Sequence, residues 1–171
     1  MKENTCCFFG HRKSEDTPKL KTELYSTVET LISENKIDTF LFGSKSKFNS
    51  LCHEVVSELK EKYPHIKRIY VRAEYRFIND DYKNYLLQSY EDTYYPAELT
   101  TAGRAAYVER NFEMIDESDV CVVYYNPDYM PPLRKSSRKN LTAYQPKSGT
   151  KIAYDYAKKK GKTIINLNGS V

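Results

Sequence analysis

Apolar residues in this chain fall into short unbroken runs that alternate with stretches where they recur every three or four positions. "TCCFFG" (Thr5–Gly10) is such a run and predicts a short buried strand. Leu20, Leu24, Val28 and Leu31 follow at helical spacing, with Thr17 placed as a cap and Pro18 at the first helical position. "DTFLFGS" (Asp38–Ser44) predicts a second strand that ends in glycine, and Phe48, Cys52, Val55 and Leu59 mark a second helix closed by Pro64. "IKRIYVR" (Ile66–Arg72) predicts a third strand. The tyrosine-rich stretch from Asp80 to Tyr95 has a weaker period, read as helix over Tyr82–Tyr90. "AGRAAYVERNFEMIDES" predicts a helix with Ala105, Val108, Phe112 and Ile115 as its apolar stripe and Arg110 projecting away from it, beside Tyr107 and Met114. "DVCVVYY" (Asp119–Tyr125) is the most hydrophobic strand and is expected to be central. "SGTKIAYDYAKKKG" predicts a helix capped by Ser148 and stopped by Gly161, and "TIINL" is a last strand.

Strands alternating with helices predict the α/β class, a parallel sheet wrapped by helices. There is no internal repeat and no linker, so residues 1–171 are read as one domain. Residues 126–147 exceed the ordinary loop length, which points to a functional lid or a loosely ordered segment. Pro131 and Pro132 would stiffen its root.

Composition changes this picture in three places. The chain carries 16 tyrosines and no tryptophan, which suits a polar, ring-lined surface. Its net charge of +4 is concentrated: Arg134, Lys135, Arg138, Lys139, Lys147 and Lys151 are accompanied by no acidic residue, which leaves the remainder slightly acidic. That segment is either an anion attractor or a solvated loop. The cysteines, Cys6, Cys7, Cys52 and Cys121, form no CxxC pair and sit in apolar segments, so they are read as reduced core residues and not as metal ligands. No run approaches the roughly 20 apolar residues a bilayer requires, and "MKENTCC" lacks a signal-peptide pattern. A cytoplasmic protein without membrane contact is expected. No cofactor is read into the sequence.

Ligands of open parallel sheets bind beyond the carboxyl ends of the strands. Three such ends carry suitable residues: Gly10, His11 and Arg12; Gly43 and Ser44; and Ser148, Gly149 and Thr150 at a helix start. Glycine allows close backbone approach, a helix start offers free N–H groups, and arginine offers bidentate bonds to phosphate. Taken singly, each is more simply a turn, a cap or a solvated charge. Together on one edge they point to a site for a nucleotide-like anion.

"FFGHR", "FGSKSKFNSLCHEVVSELKEKYPHIKRIYV" and "YVERNFEMIDESDVCVVYYN…SGTKIAYDYAKKKGKTIINL" resemble the YpsA-like family of the SLOG superfamily, over nearly the whole chain. The resemblance implies a Rossmann-like fold and a nucleotide-derived ligand. It also implies self-association, hence a homo-oligomer. The superfamily includes the lonely-guy phosphoribohydrolases and the DNA-processing protein DprA. Against the lonely-guy motif, "ERNFEM" supplies Arg110 and Met114, with Asn111 at the lysine position. "SGT" matches the end of the glycine-rich turn, while Ala153 stands where those enzymes place a catalytic glutamate. Alanine cannot stabilise positive charge developing on a ribose, and Asp155 lies about 200° around the helix from it. Glu74 and Glu109 are the remaining candidate carboxylates. Asn49 holds a position where YpsA-like proteins tend to carry aspartate. Arg104 and Arg110 are nominated on the helix before the hydrophobic strand.

The expected function is therefore binding of a nucleotide-derived phosphorylated small molecule without efficient catalysis. An N-glycosidic hydrolase is the second reading. Single-stranded nucleic-acid binding through the basic segment and its Tyr144 is the third.

Overall fold

The computed structural model describes residues 4–11, 18–43, 45–128, 134–135, 143–144 and 149–168. Of the residues named above, Arg12, Thr17, Ser44, Pro131, Pro132, Arg138, Lys139, Lys147 and Ser148 lie outside that set. So do the side chains of Arg134, Lys135 and Tyr144.

Six strands form one parallel sheet, in the order β4-β3-β2-β1-β5-β8. They are β1 (Thr5–Gly10), β2 (Thr39–Phe42), β3 (Lys67–Val71), β4 (Asp92–Tyr94), β5 (Val120–Tyr124) and β8 (Thr163–Asn166). Between β5 and β8, β6 (Arg134–Lys135) and β7 (Ala143–Tyr144) pair antiparallel, so the long loop contains a two-residue ladder that its polar sequence does not announce. The helices are α1 (Pro18–Ser33), α2 (Lys47–Lys62), α3 (Asp80–Leu86), α4 (Arg104–Asp116) and α5 (Gly149–Lys159). This is the Rossmann-like α/β architecture expected from the sequence. The chain steps outward from β1 to β4, then crosses back to lay β5 against the other side of β1. The reversal falls where Gly10 is level with Tyr124. β5 is interior, with β8 as its outer neighbour.

Strand alternation sorts the core into two layers. Cys6, Phe8, Phe40 and Phe42 face α1 and α2; Cys7, Phe9, Leu41 and Cys121 face α4 and α5. Phe8 stacks on Phe42 with ring centroids 5.2 Å apart. Full burial of each such ring stabilises the fold by roughly 1.5–3 kcal/mol. All four cysteines are free and buried, as read from sequence. Burial pushes the Cys6, Cys7 and Cys52 thiols well above their ordinary range, which keeps them protonated and inert.

Two expectations are corrected. The third helix starts at Asp80 and ends at Leu86, because the Asn79 side chain caps it by accepting from the Tyr82 amide at 2.8 Å. The residues after it turn into β4, an edge strand too short and polar to show a period of two. It is held by Glu91, whose amide donates to the Arg68 carbonyl at 2.8 Å. Its carboxylate accepts from the Arg68 amide at 2.6 Å and from Arg68 Nη2 at 2.7 Å. The stripe of α4 is also rotated from the predicted one. Ala106, Arg110, Met114 and Ile115 are buried and Ala105 is exposed. Phe112 instead stacks on Tyr156 of α5 at 4.0 Å. Arg110 thus points into the molecule, not away from it.

Candidate functional site

The α2 start sits over the ends of β1 and β2. Ser46 caps it, accepting from the Asn49 amide at 3.1 Å. Asn49, 3% exposed, donates its Nδ2 to the Phe8 carbonyl at 3.3 Å, which ties the helix to β1. Its Oδ1 is buried with no hydrogen-bond partner among the described residues. Phe48 fills the space beside Gly10: a Cβ there would stand 2.5 Å from the Phe48 Cβ. Gly10 therefore lets α2 come down onto β1, and the space its missing side chain leaves belongs to Phe48.

The end of β2 is built the same way. A Cβ on Gly43 would meet Arg110 Cδ and Nε at 2.9 Å. Arg110, 5% exposed, donates from Nη1 to the Gly43 carbonyl at 2.7 Å and from Nε to Asn111 Oδ1 at 3.1 Å. The three residues form one unit, and the arginine lies 5.4 Å from the Tyr107 ring. Burial works against its charge and draws its pKa down, partly offset by neighbouring Tyr70, Tyr107 and Glu74. Around it, Lys45 Nζ lies 3.4 Å from Glu74 Oε1, which also accepts from Tyr107 Oη at 3.0 Å. Glu74 raises the pKa of both partners. Lys45, Tyr70 and Tyr107 were not nominated from sequence. Only the abundance of tyrosine hinted at a ring-lined surface.

At the reversal, His11 bridges β1 and β5. The Asn126 amide donates to His11 Nε2 at 2.9 Å. The Asn126 carbonyl is farther, at 3.3 Å, so the amide bond fixes Nε2 as acceptor and the proton on Nδ1. Burial lowers the pKa of the ring, opposed by the nearby Asn126 carbonyl. His11 is thus a neutral brace between strand ends. Beside it Tyr125 stacks on Tyr154 of α5 at 4.5 Å, which brings the first turns of α5 to the same edge. Gly149 is exposed, with nothing among the described residues within 4 Å of a would-be Cβ, and Thr150 is buried. Arg104 is exposed at the start of α4, and no hydrogen bond or ion pair joins it to the others among the described residues.

The family model described as YspA SLOG, YpsA, matches residues 2–162. The chain belongs to that SLOG family. A solved structure of DNA processing protein A from Helicobacter pylori, described for its single-stranded DNA binding mode, is similar with a TM-score of 0.56 at 16% identity. The likeness covers 94% of the SLOG chain but 63% of that one, so it is a likeness of fold over part of a longer protein. No curated protein matches.

In this SLOG chain the position of the lonely-guy glutamate, Ala153, is 1% exposed and packs against the sheet. Asp155 is paired with Lys151 at 3.2 Å on the outside of α5. Glu109 accepts from the Thr100 amide at 3.3 Å and from the Thr101 hydroxyl, bracing the loop before α4. Glu74 is the carboxylate that stands within the edge cluster. No group of metal-ligating side chains occurs among the described residues, and no described helix is long and apolar enough to cross a membrane.

Proposed function

We propose that this SLOG chain binds a nucleotide-derived phosphorylated small molecule at the carboxyl edge of its sheet. The observation that carries the reading is the placement of Arg110 and Lys45 just past the end of β2, beside an open aromatic-walled cavity that Lys45 and Asn49 line. A site of this kind orients an anionic ligand with a few fixed polar groups against apolar walls. Lys45 is exposed and paired with Glu74, suited to meeting a phosphate as a point charge. Gly149, with no described residue within 4 Å of a would-be Cβ at the start of α5, adds amide donors on the same edge. Among the described residues the cluster offers Glu74 but no water-activating partner for it, so recognition is favoured over turnover.

Calorimetric titration with ADP-ribose, NAD, AMP and cyclic nucleotides tests this, together with native mass spectrometry for a co-purified nucleotide. Binding of at least one, weakened by Lys45→Ala, is expected. Silence from all of them in both measurements refutes the reading.

Single-stranded nucleic acid is the second reading. It is favoured by the fold likeness to DNA processing protein A and by the exposed rings of Tyr75 (57% exposed) and Phe77 (87% exposed) flanking Arg76. Exposed rings beside cations give bases a surface to stack on. Fluorescence polarisation with a labelled oligo(dT) across a salt series is the check. Affinity that falls steeply with salt supports it, and a flat or absent response removes it.

A further inference from the structure

A cavity of about 430 Å³ opens between α2 and α3, over the outer end of β3. Its walls are aromatic: Phe42, Tyr70 and Tyr90 with His53 on one side, Tyr82 and Tyr85 of α3 on the other. The first group is interlocked, with Tyr70 and Tyr90 centroids 5.3 Å apart and His53 4.8 Å from Tyr90. His53 Nε2 is held by the Ser89 carbonyl at 2.8 Å. Tyr82 and Tyr85 lie nearly parallel, 16° between planes. Among the described lining residues Lys45 carries a full charge, and no carboxylate is among them. This volume falls within the range of small-molecule pockets, about 300–1,000 Å³.

A site with parallel and edge-on rings, no carboxylate in its described lining and one cation, itself paired with Glu74 at 3.4 Å, suits a flat, neutral, π-faced group attached to a negative tail. We propose that this cavity is the base subsite of the ligand: a nucleobase enters between the α3 tyrosines and the Phe42–Tyr70–Tyr90 cluster, and its phosphate stays at the edge by Lys45. This rests on the reading above that the edge takes a phosphorylated nucleotide. Asn49 belongs to both places, since it lines the cavity and caps the contact of α2 with β1. Its unmet Oδ1 is an acceptor for a base N–H. The subsite lies outboard of β2, on the side of the sheet away from the β1–β5 reversal where doubly wound folds ordinarily seat ligands.

The test uses adenosine, AMP and ribose 5-phosphate as probes on the whole chain, by calorimetry and by tyrosine emission, which no tryptophan overlays. The expected result is that AMP binds and quenches emission. The pair Tyr82→Ala with Tyr85→Ala weakens it about tenfold or more, and Tyr85→Phe restores most of that loss. Ribose 5-phosphate is indifferent to the tyrosine changes. Lys45→Ala weakens AMP and ribose 5-phosphate but not adenosine. Should the double variant fail to fold, transferred NOEs from adenosine ring protons to tyrosine ring protons in the unaltered chain give the same answer. AMP binding that ignores the tyrosines, with no such NOE, overturns the base subsite and leaves the edge reading standing. Adenosine binding that needs the tyrosines, with no gain from phosphate, supports the subsite and overturns the edge reading. Failure of all three probes overturns the base subsite, and silence from ADP-ribose, NAD and cyclic nucleotides as well overturns the edge reading.

Discussion

Arg110 reaches under the end of β2 to donate to the Gly43 carbonyl at 2.7 Å, through space that only a glycine leaves open. The pair is a packing unit and a charge store at once: a guanidinium almost wholly buried, held by one carbonyl and one asparagine. Arg110→Ala leaves that carbonyl unmet and is expected to cost roughly 2–3 kcal/mol. Arg110→Lys should recover only part, because an ammonium cannot reproduce the fork. Urea denaturation of the three proteins decides it. A loss below 0.5 kcal/mol, an order-of-magnitude floor for a hydrogen bond, would mean the bond contributes little.

Gly10 and Gly149 look alike in sequence and should behave oppositely. Gly10→Ala puts a methyl 2.5 Å from the Phe48 Cβ, an atom fixed to the α2 backbone. The helix must shift, at a cost of about 1–3 kcal/mol or more. Gly149→Ala meets no described residue within 4 Å and should stabilise by about 0.4–1 kcal/mol by restricting the unfolded chain. If α5 contributes to the phosphate site, the same change weakens nucleotide binding while raising Tm. Thermal melts with and without ligand separate the two effects.

The His11 brace is pH-dependent. Burial holds its pKa below the ordinary 6.5, so the fold prefers the neutral ring. The stabilisation is present above the unfolded pKa and is lost as pH falls through the lower folded one. Protonated Nε2 cannot accept from the Asn126 amide. Amide exchange at Asn126 should therefore accelerate selectively between pH 7 and 5. Nitrogen chemical shifts should report the Nδ1–H tautomer at neutral pH. An Nε2–H tautomer would contradict the assignment.

Glu91 sets an acid limit. Burial alone would raise its pKa, but hydrogen bonds from the Arg68 side chain and amide, with Lys60 nearby, hold it at about 2. The shift is a depression, so its contribution is full above the unfolded pKa and disappears as pH falls from about 4.5 to about 2. Because the carboxylate is partly solvated, about 1–2 kcal/mol is the appropriate scale. Glu91→Gln should flatten the acid limb of the stability curve and loosen β4. Denaturant midpoints across that window measure it.

The fold was legible because each buried strand repeats an apolar run and each principal helix carries a stripe, and five of the six sheet strands were found that way. β4 escaped because it is held by one carboxylate and a neighbour's backbone, which leave no hydrophobic signature. Arg110 was assigned outward because charge ordinarily marks the solvent face. Its inward course depends on Gly43 lying opposite, a relation spread over 67 positions. Gly10 and Gly43 were recognised as close-approach points, but what approaches them is the chain's own Phe48 and Arg110. The aromatic cavity draws on β2, α2, β3 and the α3 region, which sequence order does not bring together.

β1 lies between β2 and β5, and Cys7 meets its β5 neighbour Cys121 across 114 positions. During synthesis the first strand can find β2 soon after both emerge, yet its other flank stays bare until β5 has left the ribosome. Such non-local closure makes for slow folding and an open, apolar edge in the interim. A ribosome stalled before Val120 therefore presents β1 with one side unsealed.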